Sequence, residues 1–442
     1  MKILQTKSSQ LVLVAFLCIT TCVSLATICR AAELHYTEIL PLGWSAAYAT
    51  GIDSLGSQCV VGYGKDGTTN KGFIIYSGSF AVVFAIILPP GWLEAYVTGV
   101  NVKVMGLVGY GKDDAGENKG FLYSGETFTE LLPSGWSEAY ATGINDSGIV
   151  VGYGTDGAGV TKGFVYSGGS YSEVLPPGWN NASATGINNS GVIVGYGKDA
   201  VGENKGFIYS ASVYSDLQPS GWSAAYATGV NDSGVVVGYG KDGAGATKGF
   251  VYSSGTYVAL LPSGCISATA SGINNTGKVV GWANDGTITQ GFVYDEGTYR
   301  FLLPDGWVES HATAINDDGD VVVGYGMDAD YVTKGFIVRI AIPFDIQIMK
   351  IIDFIESSIK DGTLYGEKKG NGAEKKLNKF KQMLVDIQQL IWDGNIADAC
   401  QELNDAYKRA DGIKPPADYV SGPAVTELEN KIDVLINDMC VP

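Results

Sequence analysis

Six tryptophans each stand about twenty residues ahead of an aspartate, and a lysine follows that aspartate within the next turn of chain. The tryptophans are Trp44, Trp92, Trp136, Trp179, Trp222 and Trp307, with Cys265 where a seventh would fall. The aspartates are Asp66, Asp113, Asp156, Asp199, Asp242 and Asp328, with Asp285 in the copy that carries Cys265. The lysines are Lys71, Lys119, Lys162, Lys205, Lys248 and Lys334, and that same copy has Gln290 instead. An aromatic face beside a carboxylate suits a carbohydrate: the ring covers the apolar C–H face and the acid accepts hydroxyl hydrogens. Several such sites on one surface would act together through multivalency. The same residue types also serve packing, with tryptophan as a wedge between repeats, aspartate as a turn residue and lysine as its ion-pair partner. Exposed tryptophans favour the first reading and buried ones the second.

The elements that carry these columns recur with a fixed beat. The glycine of the Gly-Trp element falls at 43, 91, 135, 178, 221, 264 and 306, and the "GYG" element begins at 62, 109, 152, 195, 238, 281 and 324. A period in the low forties is the signature of a repeat architecture. In the third copy "EAYATGI" is strand-compatible, "NDSG" turns the chain, "IVVGYG" returns, "GFVY" runs out and "YSEVL" completes four strands. Asn, Asp and Gly tolerate the positive φ that such turns need. Four strands per unit describe a propeller blade. The ends agree: an orphan fourth strand, "HYTEIL", precedes the first copy, and the last copy stops after its third strand, "GFIVRI". The fold expected is therefore mainly β, a seven-bladed β-propeller over residues 33–343 closed by N-terminal strand exchange. In it the "LPxGW" and "KDGAG" loops share one rim, and long loops on one face are where repeat proteins bind. The Thr column (Thr50, Thr98, Thr142, Thr185, Thr228, Ser271, Thr313) and the Tyr column (Tyr48, Tyr96, Tyr140, Tyr226, with His311 in the seventh copy) read as packing and hydrogen bonding. Copy six, having lost its Trp and Lys, reads as a dead binding site.

The segment "ATGINDSGIVVGYG", followed by "KGFVY" and "SGGSYSEVL", resembles the bacterial extracellular HAF-repeat family across roughly residues 34–340. It departs at the family's His-Ala-Phe signature, which here is Lys162-Gly163-Phe164. The resemblance implies an exported repeat protein and carries no catalytic residues. After Pro343 apolar residues fall at helical spacing (Ile348, Ile351, Ile352, Ile355; Leu377, Phe380, Leu384, Ile387, Ile391), which predicts a four-helix bundle over 344–442. Through "GNGAEKKLNKFKQML" and "GNIADACQELNDAY" this tail resembles the FIMAH domain, which implies an exported accessory module.

Residues 1–32 read as a secretory signal, with Lys2 and Lys7 ahead of the apolar Leu11–Ala26 and cleavage after Ala26, Ala31 or Ala32. The expectation is a secreted or envelope-exposed protein without a transmembrane span in its mature form. Export permits disulfides, and Cys400 and Cys440 share the helical segment as a pair. Formal charge is −17, with −15 on residues 33–343 and −5 on 344–442. Such a surface repels phosphate backbones, so the partners expected are glycans or extracellular proteins and no nucleic acid. The carboxylates crowded into "NDDGD" (Asn316–Asp320) hint at calcium but fall short of a full calcium loop, and no cofactor is expected. With His35 and His311 the only histidines, and no nucleophile, P-loop or dinucleotide motif, the reading is a non-catalytic binding protein; the alternative is a structural or protein–protein interaction module of an extracellular assembly.

Overall fold

The computed structural model describes residues 34–53, 59–78, 81–340, 344–366, 371–392, 395–410 and 419–440. The signal segment expected at 1–32 lies outside them. Residues 34–340 form one compact unit and the helices belong to another.

The β unit is a seven-bladed propeller, each blade a four-stranded antiparallel sheet. From the inner strand outwards the strands of a blade are A to D; in blade 3 they are Trp136–Ile144, Val150–Asp156, Thr161–Ser167 and Ser170–Val174. The seventh blade takes A, B and C from Trp307–Ile315, Val321–Asp328 and Thr333–Ile340, and its D strand is Leu34–Ile39 from the start of the chain. That strand pairs antiparallel from Leu34 against Ile340 to Ile39 against Gly335, so the ring is closed by strand exchange.

Packing explains the repeated "GYG". A Cβ on Gly152 would lie 2.7 Å from Cζ of Phe164, and one on Gly154 would lie 2.9 Å from Cε3 of Trp136. The two missing side chains let a Phe and a Trp settle on one sheet face while Tyr153 points from the other. Phe73, Phe121, Phe164, Phe207, Phe250, Phe292 and Phe336 are all fully buried, and each contributes roughly 1.5–3 kcal/mol of apolar burial.

Three rings join blade to blade. In the first, the Thr column donates across each junction: Thr50 to Val97 O at 2.7 Å, Thr98 to Ala141 O at 2.9 Å, Thr142 to Ala184 O at 3.1 Å and Thr185 to Ala227 O at 2.9 Å. Thr228 reaches Ala270 O at 3.0 Å, Ser271 reaches Ala312 O at 2.7 Å, and Thr313 closes the circle on Ala49 O at 2.9 Å. Each hydroxyl also lies near a carbonyl of its own B strand, for example Thr142 to Val151 O at 3.2 Å, so its one proton is shared. The second ring sits in the "NDSG" turns, where buried Asn145, Asn188, Asn231 and Asn274 each donate through Nδ2 to the backbone carbonyl of the next blade's asparagine. The third is aromatic. Tyr48 stacks on Tyr63 at 4.9 Å within blade 1, and Tyr63 meets Tyr96 of blade 2 edge-on at 5.0 Å. His311 belongs to this belt, stacked on Tyr325 and edge-on to Trp282, and burial pushes its pKa down.

The helices are α1 (Phe344–Lys360), α2 (Asn371–Trp392), α3 (Ile396–Tyr407) and α4 (Val425–Cys440). Their core holds Ile348, Ile351, Ile355, Phe380, Leu384 and Ile387, while Ile352, Leu377 and Ile391 pack half-buried at its margin. A disulfide joins Cys400 of α3 to Cys440 of α4, with Cα atoms 5.5 Å apart, and Cys59 and Cys265 are free thiols.

The Thr ring generates a prediction. Thr185→Val keeps the shape and removes the donor that crosses the blade 4–5 junction. Its unfolding free energy in urea should fall by about 1 kcal/mol with unchanged m-value; unchanged stability would show that the ring does not hold the blades.

Candidate functional site

Strand order brings the copied columns to one face. Trp44 pairs in register with Asp66, Trp136 with Asp156 and Trp307 with Asp328, so the D-to-A turns and the B-to-C loops emerge together. Each D-to-A turn is closed by a hydrogen bond from the Trp amide, or that of Cys265 in blade 6, to a Pro carbonyl, such as Trp136 N to Pro133 O at 3.0 Å. Gly135 takes φ +80° there, which the third position of a type II turn requires.

On this face the tryptophans do not stand up as open platforms. Trp44, Trp136 and Trp307 are 8, 9 and 5 % exposed, and Trp92, Trp179 and Trp222 are half-buried. Each indole meets the fully buried Phe of its own C strand edge-on, at 5.9 to 6.2 Å. Trp44, Trp92, Trp136, Trp179 and Trp307 each share a core cluster with residues of the preceding blade, Trp136 with Val108 and Leu131 of blade 2.

The aspartates have a local task. Asp156 accepts from the amides of Ala158 and Val160 at 2.9 Å each, and its other oxygen meets Lys162 at 3.0 Å. Asp113, Asp199, Asp242 and Asp328 repeat the pattern with Lys119, Lys205, Lys248 and Lys334 at 2.8 to 3.0 Å. Asp66 pairs with Lys71 at 2.6 Å, and Asp285, lacking a lysine, holds Thr287 and Ile288 instead. Hydrogen bonds from lysine and from loop amides hold Asp113, Asp199 and Asp242 below the usual carboxylate range; for Asp156 and Asp328 the loop amide is the larger cause.

What the face offers to a ligand lies further out. A groove of about 180 Å³ in blade 3 is lined by Pro133, Ser134, Trp136, Phe164, Tyr171, Ser172 and Glu173. Lys162 ties its Glu173 to the loop, bridging Asp156 at 3.0 Å and Glu173 at 3.0 Å. In blade 7 the indole Nε1 of Trp307 donates to Glu38 at 3.0 Å and Lys334 donates to the same carboxylate at 2.9 Å. The buried Trp307 thus turns its N–H edge towards the outer-strand acid. Sequence reading missed this outer-strand acid, which occurs as Glu130, Glu173, Asp216 and Glu38 in blades 2, 3, 4 and 7 and is replaced by Ile86, Ala259 and Phe301 in blades 1, 5 and 6. Its signal was the shared offset in "FTEL", "YSEV", "YSDL" and "YTEI".

The crowded turn at Asn316–Asp320 is internally bonded, with Asn316 accepting from Asp320 N at 3.1 Å and donating to its carboxylate at 2.8 Å. Among the described residues no group of three or more His, Cys, Asp or Glu is arranged to hold a metal. No helix among them is long and apolar enough to cross a membrane.

No family model matches the chain, and no curated protein matches its sequence. Among solved structures it is similar to the six-bladed fucose-recognising lectin of Aleuria aurantia, with 11 % identity and a TM-score of 0.37 over 60 % of this chain and 100 % of that one. It is similar also to TolB from Acinetobacter baumannii (10 % identity, TM-score 0.37, 69 % and 96 % covered) and to a variant of AofleA from Arthrobotrys oligospora (13 %, 0.36, 70 % and 88 %). Superposition this loose carries no argument about function.

Two outcomes follow. Trp136→Ala should cost roughly 3–5 kcal/mol of stability, as removal of a buried core aromatic does, measured by chemical denaturation; a neutral result would mean the indole is a surface group. For the loops, a folded carboxylate with lowered pKa stabilises fully above its unfolded value of about 4 and loses that stabilisation as pH falls through the lower folded value. Asp156→Asn should therefore be less stable than wild type at pH 7, and the gap should close below about pH 4.

Proposed function

We propose that this is an exported, non-catalytic binding protein that takes glycans in the grooves that its blades open on the tryptophan face. The blade 3 groove carries the reading. It presents the ring of Tyr171 for a sugar's C–H face and the lysine-bound Glu173 for its hydroxyls. Repetition over blades 2, 3, 4 and 7 adds avidity to weak single contacts. The aspartates serve this surface by holding the loops rather than by touching the ligand.

A second reading has its own observation. On the same face Leu42 is fully exposed, and Leu93, Ile266 and Val308 are 52, 62 and 40 % exposed. They belong to blades 1, 2, 6 and 7, which lie side by side around the ring and overlap the acid-bearing blades only at 2 and 7. An apolar arc of this kind suits contact with another extracellular protein.

A glycan array probed with residues 33–442 tests the first reading. The variant carrying Glu130→Gln, Glu173→Gln and Asp216→Asn changes only outer-strand acids, so it should fold normally and lose at least about tenfold in apparent affinity through lost avidity. Absence of binding to every glycan, with self-association or capture of a protein that Leu42→Ser weakens, would move the weight to the second reading.

A further inference from the structure

The aromatic belt around the channel is regular where it is complete. The B-strand ring of one blade meets the A-strand ring of the next edge-on: Tyr63 with Tyr96, Tyr110 with Tyr140, Tyr196 with Tyr226, Trp282 with His311 and Tyr325 with Tyr48, at 5.0 to 5.2 Å. Two junctions break it. Ser183 stands opposite Tyr153, and Thr269 stands opposite Tyr239.

The gap between blades 5 and 6 is the richer one. Tyr239 keeps its stacking on Tyr226 at 5.0 Å, is half-buried, and has no ring to meet across the junction. Two residues along the same strand, and on the same side of it, Lys241 is exposed. It belongs to no ion pair among the described residues, because the neighbouring Asp242 is committed to Lys248 at 2.8 Å and to its own loop. On the facing strand, Ser267 and Thr269 also alternate to one side, and both are half-buried. A smaller side chain where the belt elsewhere has a tyrosine thus leaves a gap, a notch in the belt between Tyr239 and Trp282, which stands in register opposite Thr269. Lys241 lies along the same side of its strand, and the hydroxyl-bearing Ser267 and Thr269 are on the next blade's inner strand.

We propose that this notch binds an acidic sugar, a pyranose that carries a carboxylate. The ring of Tyr239 takes the apolar C–H face, Lys241 takes the carboxylate through a charge-assisted hydrogen bond, and Ser267 and Thr269 meet the ring hydroxyls. A neutral sugar would leave Lys241 without its counter-charge. Blade 6, which lost its rim Trp and Lys, is on this account one wall of a separate site. The site stands apart from the rim grooves, so either can fail without the other.

Calorimetric titration of residues 33–442 with tetramers of galacturonate and of mannuronate, against a neutral galactose tetramer, tests the proposal. At least one acidic tetramer should bind in preference to the neutral one. Thr269→Tyr, which completes the belt, should abolish that binding with the melting transition retained. Lys241→Gln, at an exposed position that leaves the fold alone, should weaken it at least about tenfold and erase the acid preference. The outer-strand variant Glu130→Gln, Glu173→Gln, Asp216→Asn should bind the acidic tetramer as wild type does. Failure of both acidic tetramers to bind, equal binding of the neutral one, indifference to Lys241→Gln, or loss in the outer-strand variant would each overturn it.

Discussion

A hydroxyl that reaches the next blade is the interaction on which this propeller depends. Seven separate sheets can form a ring only if the inner strand of each is fastened to its neighbour, near an axis where side chains have little room. Threonine meets both demands, being short and a donor, and the chain spends one on each junction, with serine once. The separation of donor and acceptor along the chain is 42 residues for Thr142, Thr185 and Thr228. The same bond spans 47 residues from Thr50 and 41 from Ser271, so it depends on the register of the inner strands and not on one exact blade length. Length varies in the loops and turns.

The ring also fixes what the remaining copied residues can do. Once the axis is set, each sheet must accept a Phe and a Trp on one face, and the paired glycines of "GYG" supply the space. The tyrosine between them must face the next blade, which builds the aromatic belt. Little of the repeat is then free for binding. The indole is packed against the core, with the Trp307 N–H bound to Glu38, the loop aspartate is taken up by backbone amides, and the variable residues carry the differences between blades.

Much of the architecture was legible because its cause is local and periodic. The "NDSG" turns, the alternating strands and the split last blade can all be read along the chain, and the helical spacing of Ile348, Ile351 and Ile355 marked a buried face that the structure fills. The site was harder to read. Whether Trp136 is a platform or a core residue depends on a missing Cβ at Gly154, eighteen positions away. The acid that joins the groove is Glu173, eleven residues beyond Lys162, and its importance appears only when strands C and D are side by side. The notch at Tyr239 and Thr269 is further from sequence reading still, since it is a contact that five junctions make and this one does not.

The central claim is that binding belongs to the tryptophan face and that the opposite turns only hold the ring together. Hydrogen–deuterium exchange on the full propeller, with and without a glycan selected from an array, tests it directly. The account predicts slowed exchange in the D-to-A turns and in the loops after Asp156 and Asp199, with the "NDSG" turns unchanged. Slowed exchange confined to the "NDSG" turns, with the tryptophan face unaffected, would contradict it.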